Sequence, residues 1–454
     1  MRRSTRAASG AASSKSSAAA ETTPENRARR AECVPAVRQD ARFPGDPGEL
    51  PDGGDPRRAL LLALLETGLR RVEGRRCVRE ALARPQHPAA PVWLAGVGKA
   101  AESMALGAYD ALGGAIERAL LITRDAPLSP EIARLGAEVL IGAHPVPDER
   151  SLAAGGRLLA WVESLPDEVE PLFLISGGAS SLVEVPEAGV TLPDLEALTR
   201  RAFAEGLAIG ELNRRRAALS RIKGGRLAAR LRGRPARALF ISDVPDDDPR
   251  VIGSGLMGPA AEGDDRIERQ VVASVDQAVA AVAVAAAALG LTVHPPGRRF
   301  AGEAVRLAAR FAHELHTGTA QLHVWGGEST VMLPPHPGRG GRNQHLALAA
   351  ARLIAGRPEL MLLAAGTDGS DGVTEDAGAL VDADTCARIA LAELDAERGL
   401  ERADSAPALA SSGDLVHLGP TGTNVGDLVI GLKLAADAAR ALEALHGGRG
   451  ARVL

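Results

Sequence analysis

Lysine is scarce in this 454-residue chain: it stands only at positions 15, 99, 223 and 433, and asparagine only at 26, 213, 343 and 424. Arginine supplies most of the positive charge, so each retained lysine is a candidate for a place where a compact ammonium does what a guanidinium fork would not. Lys99 stands in GVGKAAESMA, directly after an apolar run. A cation at the mouth of a strand-to-helix turn can neutralise a transferring phosphoryl group or a substrate carboxylate. Arg342 follows GRGG and precedes Asn343 and Gln344. A guanidinium at a helix start can grip phosphate or carboxylate at two points.

Around these two cations the sequence repeats one device, an apolar run ending in glycines and small hydroxyl residues. LISGGASSLVE brings Ser176, Gly177, Gly178 and Ser180; VWGGESTV brings Gly326, Gly327 and Glu328; AAGTDGSDGVT brings Asp368; GPTGTNVGDL brings Thr421, Thr423, Asn424 and Asp427. Such loops let backbone amides approach an anion, so together they predict a polyanion-binding cleft. ELNRRRAALSRIKGGRLA places Asn213 and Lys223 among five arginines, which reads as an anion clamp or equally as a solvated basic helix. Asp243 of ISDVPDDDP and Asp368 are hard oxygen donors of the kind that hold Mg²⁺ together with phosphate oxygens. Turn or cap roles explain most of the neighbouring acids.

Other chemistries find little support. GVGKAA is a formal G-x-G-x-x-A with Asp125 after the next strand, which fits a dinucleotide site, but Lys99 occupies the tight turn where such loops carry small residues. There is no Walker loop and no G-x-S-x-G elbow. His313 and His316 miss the H-E-x-x-H spacing by one residue. Cys33, Cys77 and Cys386 are odd in number and far apart, which argues against a disulfide framework and for a reducing, cytoplasmic setting. The net charge of −4 gives no reason to expect nucleic acid. The most apolar stretch, around Val271–Leu291, carries Asp276 and Gln277 and falls short of a membrane span.

The elements that must position these residues read as alternating strands and helices. Strands are expected at Val92–Ala95, Ala119–Thr123, Glu138–Gly142, Pro171–Ser176 and Ala238–Asp243, then at Gln321–Trp325 and Glu359–Ala365. Helices fall between them, and again at 301–315, 343–354 and 384–394. This pattern predicts an α/β fold with a parallel sheet covered on both faces. Residues 1–50 read as a disordered Ser/Ala/Arg-rich tail, since they hold too few large apolar residues to pack. The expected domains are 51–297 and 298–454.

GVGKAAESMA, LISGGASSLVEVP, LNRRRAALSRIKGGRLA, ISDVPDDDP, GGESTV, GGRNQHLALAAA, AAGTDGSDGVTEDAGALVD and GPTGTNVGDL occur in this order. Together they resemble the glycerate 2-kinase family over roughly 57–440. The resemblance implies a Rossmann-like three-layer N-terminal domain and a smaller α/β C-terminal domain called MOFRL, with the cleft between them. It implies ATP-dependent phosphorylation of D-glycerate at the 2-hydroxyl with Mg²⁺, giving 2-phosphoglycerate and ADP. The family's active-site lysine and arginine match Lys99 and Arg342. The expected partner is a small molecule, with neither nucleic acid nor membrane; a homodimer is the assembly considered. One departure is that Asp246 replaces a glycine and Leu256-Met257-Gly258 follows GSG, which leaves room for a related hydroxy acid as acceptor. The remaining alternatives are an NAD(P)H-dependent hydroxypyruvate reductase, a name some relatives carry, and a non-catalytic sugar-phosphate-binding module.

Overall fold

The computed structural model describes residues 55–83, 90–124, 128–204, 209–259, 266–435 and 437–438. The expected tail over 1–50, Cys33 and Asp125 lie outside them. Pro44–Leu454 forms one compact unit. Among the described residues no helix is long and apolar enough to cross a membrane.

The first sheet is built from β1 (Val92–Val97), β2 (Ile116–Thr123), β3 (Glu138–Ile141), β4 (Glu170–Ile175), β5 (Ala236–Ile241) and β6 (Ile267–Ala273). Its order is β3-β2-β1-β4-β5-β6 and every pair is parallel. Strands buried on both faces read as continuous apolar runs, which is why most were visible in the sequence. Alternate residues of β1 go to different cores. Leu94 packs with the helices Pro56–Arg71, Ala101–Leu112 and Val275–Ala288, while Trp93, Ala95 and Val97 pack with Leu158, Trp161 and Val162 of the helix Glu149–Glu163. The result is three layers. The chain order reverses between β1 and β4, and in open sheets of this kind ligands bind there, outside the carboxyl ends of the strands. β6 was not anticipated: the Ala/Val-rich stretch divides into a strand ending at Ala273 and a helix starting at Val275.

The second sheet comprises β7 (Phe300–Glu303), β8 (Leu322–Thr330), β9 (Leu360–Gly366), β10 (Gly378–Asp382), β11 (Leu415–Val416) and β12 (Asp427–Lys433), in the order β11-β10-β9-β12-β8-β7. Only β7 and β8 pair in parallel; the other pairs are antiparallel. The chain returns from β9 to β10 without a helix, and a short return forces antiparallel pairing. β12 inserts antiparallel between β8 and β9. Its first residue, Asp427, therefore sits opposite Gly327 and Gly366, at the carboxyl ends of both neighbours.

One apolar cluster joins the two sheets. It contains Leu94, Leu174 and Leu239 of the first, Leu363, Leu428 and Ile430 of the second, and residues of the helices Pro56–Arg71 and Val275–Ala288 between them. Asp55 caps the first of these helices, accepting from the Arg57 amide ahead of Pro56. Gly68 permits the close fit, since a Cβ there would meet Val282 at 2.9 Å and Leu428 at 3.2 Å.

Gly107 tests how tightly the helices under β1 are packed. Alanine normally stabilises a helix interior by about 1 kcal/mol over glycine. Here a Cβ would run into the backbone of Arg75 on the neighbouring helix. Gly107→Ala is expected to lower stability by about 1–3 kcal/mol in urea unfolding, the usual range for overpacking. A gain in stability would show that the helices have room to part.

Candidate active site

β1 ends at Val97, and the turn that follows is fastened to the loop after β4. The Gly98 amide donates to Ile122 O at 3.0 Å, Lys99 to Gly177 O at 2.9 Å, Ala100 to Ser176 Oγ at 3.0 Å and Ala101 to Gly98 O at 3.2 Å. All four amides are thus engaged within the protein, so this turn does not present them to a pyrophosphate as a dinucleotide loop would. The same bonds aim the Lys99 side chain outward. Its ammonium meets Asp368 Oδ2, after β9, at 2.7 Å. Burial pushes the Asp368 carboxyl up, but Lys99, the Ser370 amide and Arg124 outweigh it and hold it below the ordinary range. Gly178, at φ +85°, passes close to this lysine: a Cβ there would lie 3.1 Å from Lys99 Cγ and 3.3 Å from His144 Cδ2. Among the described residues the amides of Gly177 and Gly178 have no protein acceptor.

Asp243 follows β5. Burial, with the Glu328 charge adding to it, raises its carboxyl to about 6 against the pull of Lys99 and Arg342. Its partner is the Asn424 side-chain amide, which donates at 3.5 Å. A Cβ on Gly177 would collide with both Asp243 and Asn424, so glycine is required for these loops to meet. Thr421 is buried, and its hydroxyl donates to the Thr367 carbonyl, bracing the loop that carries Asn424.

The second cation is organised differently. Arg342 begins the helix Arg342–Ile354 and is gripped in bidentate fashion by Asp427, with Nε to Oδ2 at 2.7 Å and NH2 to Oδ1 at 2.9 Å. Its NH1 meets Glu328 at 2.5 Å. Burial works against this charge, and Asp427 and Glu328 outweigh it, keeping the guanidinium firmly protonated. Asn343 donates to Asp427 Oδ1 at 3.0 Å and to Asp371 Oδ1 at 3.3 Å. Asp371 in turn accepts the amides of Asn343 at 3.1 Å and Gln344 at 2.8 Å, capping the helix. These two helix-start amides therefore serve a carboxylate of the protein.

The structure thus brings Lys99, Ser176, Gly177, Gly178, Asp243, Asp368, Asn424, Glu328, Arg342 and Asn343 to facing edges of the two sheets. Other expectations are corrected. Gly326 and Gly327 lie inside β8 rather than in a loop: Gly326 makes room for Val275 and Val279, and Gly327 for the backbone of Phe300. Lys223 is 1% exposed and paired with the equally buried Glu184, so its ammonium is committed within the core. Asn213 and Ser180 are both bonded to the Ser254 hydroxyl. The divergent Leu256 and Met257 are core residues, whereas Asp246 points to solvent. Among the described residues no group of three or more His, Cys, Asp or Glu could hold a metal by itself. The sequence places Asp427 in a motif without a role, and Asp371 among the acids that read as hard oxygen donors or as turn and cap residues. The type and position of Asp427 carry no signal until β12 is seen to insert beside β8 and β9.

Two family models match the chain, one described as a domain of unknown function, DUF4147, over residues 60–287, and the MOFRL family over residues 321–427. The chain is 33% identical over 411 residues to the D-glycerate 2-kinase of Thermotoga maritima, covering 82% of this chain and 97% of that protein. It is 31% identical over 390 residues to the glycerate 2-kinase of Pyrococcus horikoshii, covering 75% and 87%. A protein of Agrobacterium vitis bearing a hydroxypyruvate reductase name is 35% identical over 378 residues, covering 73% and 97%. The crystal structure of a glycerate kinase from Thermotoga maritima matches with a TM-score of 0.71 at 31% identity, over 84% of this chain and 100% of that one.

Asp371 offers a direct check of the electrostatics. Burial, with the nearby Asp427 charge, raises its carboxyl to about 7 despite two amide donors. A raised carboxyl binds its proton more tightly folded than unfolded. Its contribution to stability is therefore present below the unfolded value near 4 and declines as pH rises to about 7. Carboxyl ¹³C NMR should show the Asp371 midpoint near 7, moving down in Asp427→Asn. A midpoint near 4 in the wild type would contradict the burial assigned here.

Proposed function

We propose that this chain, which belongs to the glycerate 2-kinase family, is an ATP-dependent kinase that phosphorylates D-glycerate at its 2-hydroxyl, giving 2-phosphoglycerate and ADP. The observation that carries the reading is that Lys99 and Arg342, each held by carboxylates, both act on Asp243, at edges that also present the amides of Gly177 and Gly178. Phosphoryl transfer needs positioning and charge neutralisation more than covalent help. Lys99 and Arg342 offset the charge that spreads over the transferring group. Asp368 and Asp427 keep the two cations aimed, and the glycine amides cradle phosphate oxygens. The acceptor oxygen bonds to the terminal phosphorus of ATP as the bond to ADP breaks, and the hydroxyl proton passes to solvent.

The carboxylates fit a hard divalent cation. Asp243 is a half-buried carboxylate whose hydrogen bond, from Asn424, is long, and both it and Asp368 feel the Lys99 charge. Asp243 and Asp368 would hold Mg²⁺ jointly with phosphate oxygens, and the ion, when bound, would offset part of the triphosphate charge.

A reductase must bind NADH, and the internally bonded amides of residues 98–101 argue against that. ADP release from ATP, Mg²⁺ and D-glycerate tests the kinase reading. Lys99→Ala and Arg342→Ala are each expected to lower kcat by a factor on the order of 10²–10³, with cooperative melts retained. Near-normal kcat in either variant, or NADH binding with no ADP release by the wild type, would overturn it.

A further inference from the structure

The basic segment 211–228 reads in sequence as an anion clamp or equally as a solvated helix, and the structure separates its members. Arg214 and Arg215 are exposed and pair with Glu211 at 2.7 and 2.8 Å. Arg226 donates to the carbonyls of Ala217 and Ser220. Lys223 is buried against Glu184. Arg216 alone among them is a buried guanidinium, 8% exposed, with no carboxylate at ion-pair distance among the described residues. Its NH1 donates to Ser180 Oγ at 3.2 Å, and its NH2 to Thr199 Oγ1 at 3.2 Å and Pro145 O at 3.5 Å. All three acceptors are neutral.

A buried cation without a counter-charge is costly, and proteins rarely retain one without use. Burial pushes the Arg216 guanidinium down to about 10, with Glu184 opposing. Arg216, Lys223 and Glu184 together leave one positive charge in excess. This excess lies directly beside the site. Ser180 is part-exposed and lies two residues after Gly178, which passes close to the Lys99 side chain and to His144, the residue before Pro145. An excess of one charge suits a carboxylate monoanion better than a triphosphate. A planar guanidinium with a hydroxyl beside it also matches a carboxylate that carries a 2-hydroxyl.

We propose that Arg216, under Ser180, anchors the carboxylate of the acceptor and thereby selects hydroxy acids over neutral polyols. The assignment rests on the kinase reading only for the identity of the acceptor, so its test is made on binding as well as on turnover. D-Glycerate affinity is measured by calorimetry on wild type, Arg216→Lys and Arg216→Met, with thermal melts confirming that each is folded. Arg216→Lys keeps the charge and loses the fork, which guards against a failure of Arg216→Met to fold. Weakening of roughly 10- to 100-fold in Arg216→Met is expected, the range for a hydrogen bond to a charged group, with a smaller loss in Arg216→Lys. In turnover, KM for D-glycerate should rise while KM for ATP stays within about twofold. The neutral amide of D-glycerate should lose much less than D-glycerate in the variants, because it makes no ion pair to lose. Unchanged D-glycerate affinity in both variants, or a rise in KM for ATP alone, would overturn the assignment. Absence of ADP release by the wild type would overturn the kinase reading, while the calorimetry would still decide whether Arg216 binds the carboxylate.

Discussion

The ammonium of Lys99 and the carboxylate of Asp368 come from different sheets and meet at 2.7 Å, with side chains only 15% and 10% exposed. Separating such a pair would leave a poorly solvated charge on either side, so each partner fixes the position of the other. The constraint is transmitted inward. The turn bearing Lys99 is tied to Ser176 and Gly177, and the Asp368 carboxylate also accepts from the amide and hydroxyl of Ser370. A triphosphate arriving here would meet a cation already oriented by the protein, which is the condition under which electrostatic stabilisation costs no reorganisation.

The two cations are supported by opposite topological means. Lys99 owes its place to a parallel sheet, whose strands all deliver their carboxyl ends to one edge. Arg342 owes its place to an antiparallel insertion, since Asp427 can reach it only because β12 starts where β8 and β9 end. Behind Arg342 stand Asn343 and Asp371, so the guanidinium is braced by a second rank of polar groups as well as by its own partners. The shared apolar core along the helices Pro56–Arg71 and Val275–Ala288 ties these two edges into one unit. Arg299 adds a polar tie, bonding Asp247 and Asp276 together with the carbonyls of Val244 and Pro245.

Much of this was legible in the residues. The β1, β2, β4 and β5 runs are apolar enough to read as buried strands, and the scarcity of lysine drew attention to Lys99. The two cations and most glycine loops stand out in the sequence because chemistry and local pattern coincide there. What stayed hidden depends on partners far away in the chain. Gly326 and Gly327 look like loop glycines, and only Val275, Val279 and Phe300 reveal them as close-packed strand residues. Lys223 looked like a phosphate ligand, yet its partner Glu184 lies 39 residues away. Arg216 was one of five arginines in a segment, and burial, which sequence spacing does not disclose, sets it apart from the other four.

The central claim is a transfer to one particular oxygen, and the position of the phosphate in the product tests it most directly. ³¹P NMR of the product formed from ATP, Mg²⁺ and D-glycerate should show the phosphorus coupled to the single proton on C2, as in 2-phosphoglycerate. Coupling to the two protons on C3 would contradict transfer to the 2-hydroxyl. Absence of a new phosphate ester would contradict the kinase account itself.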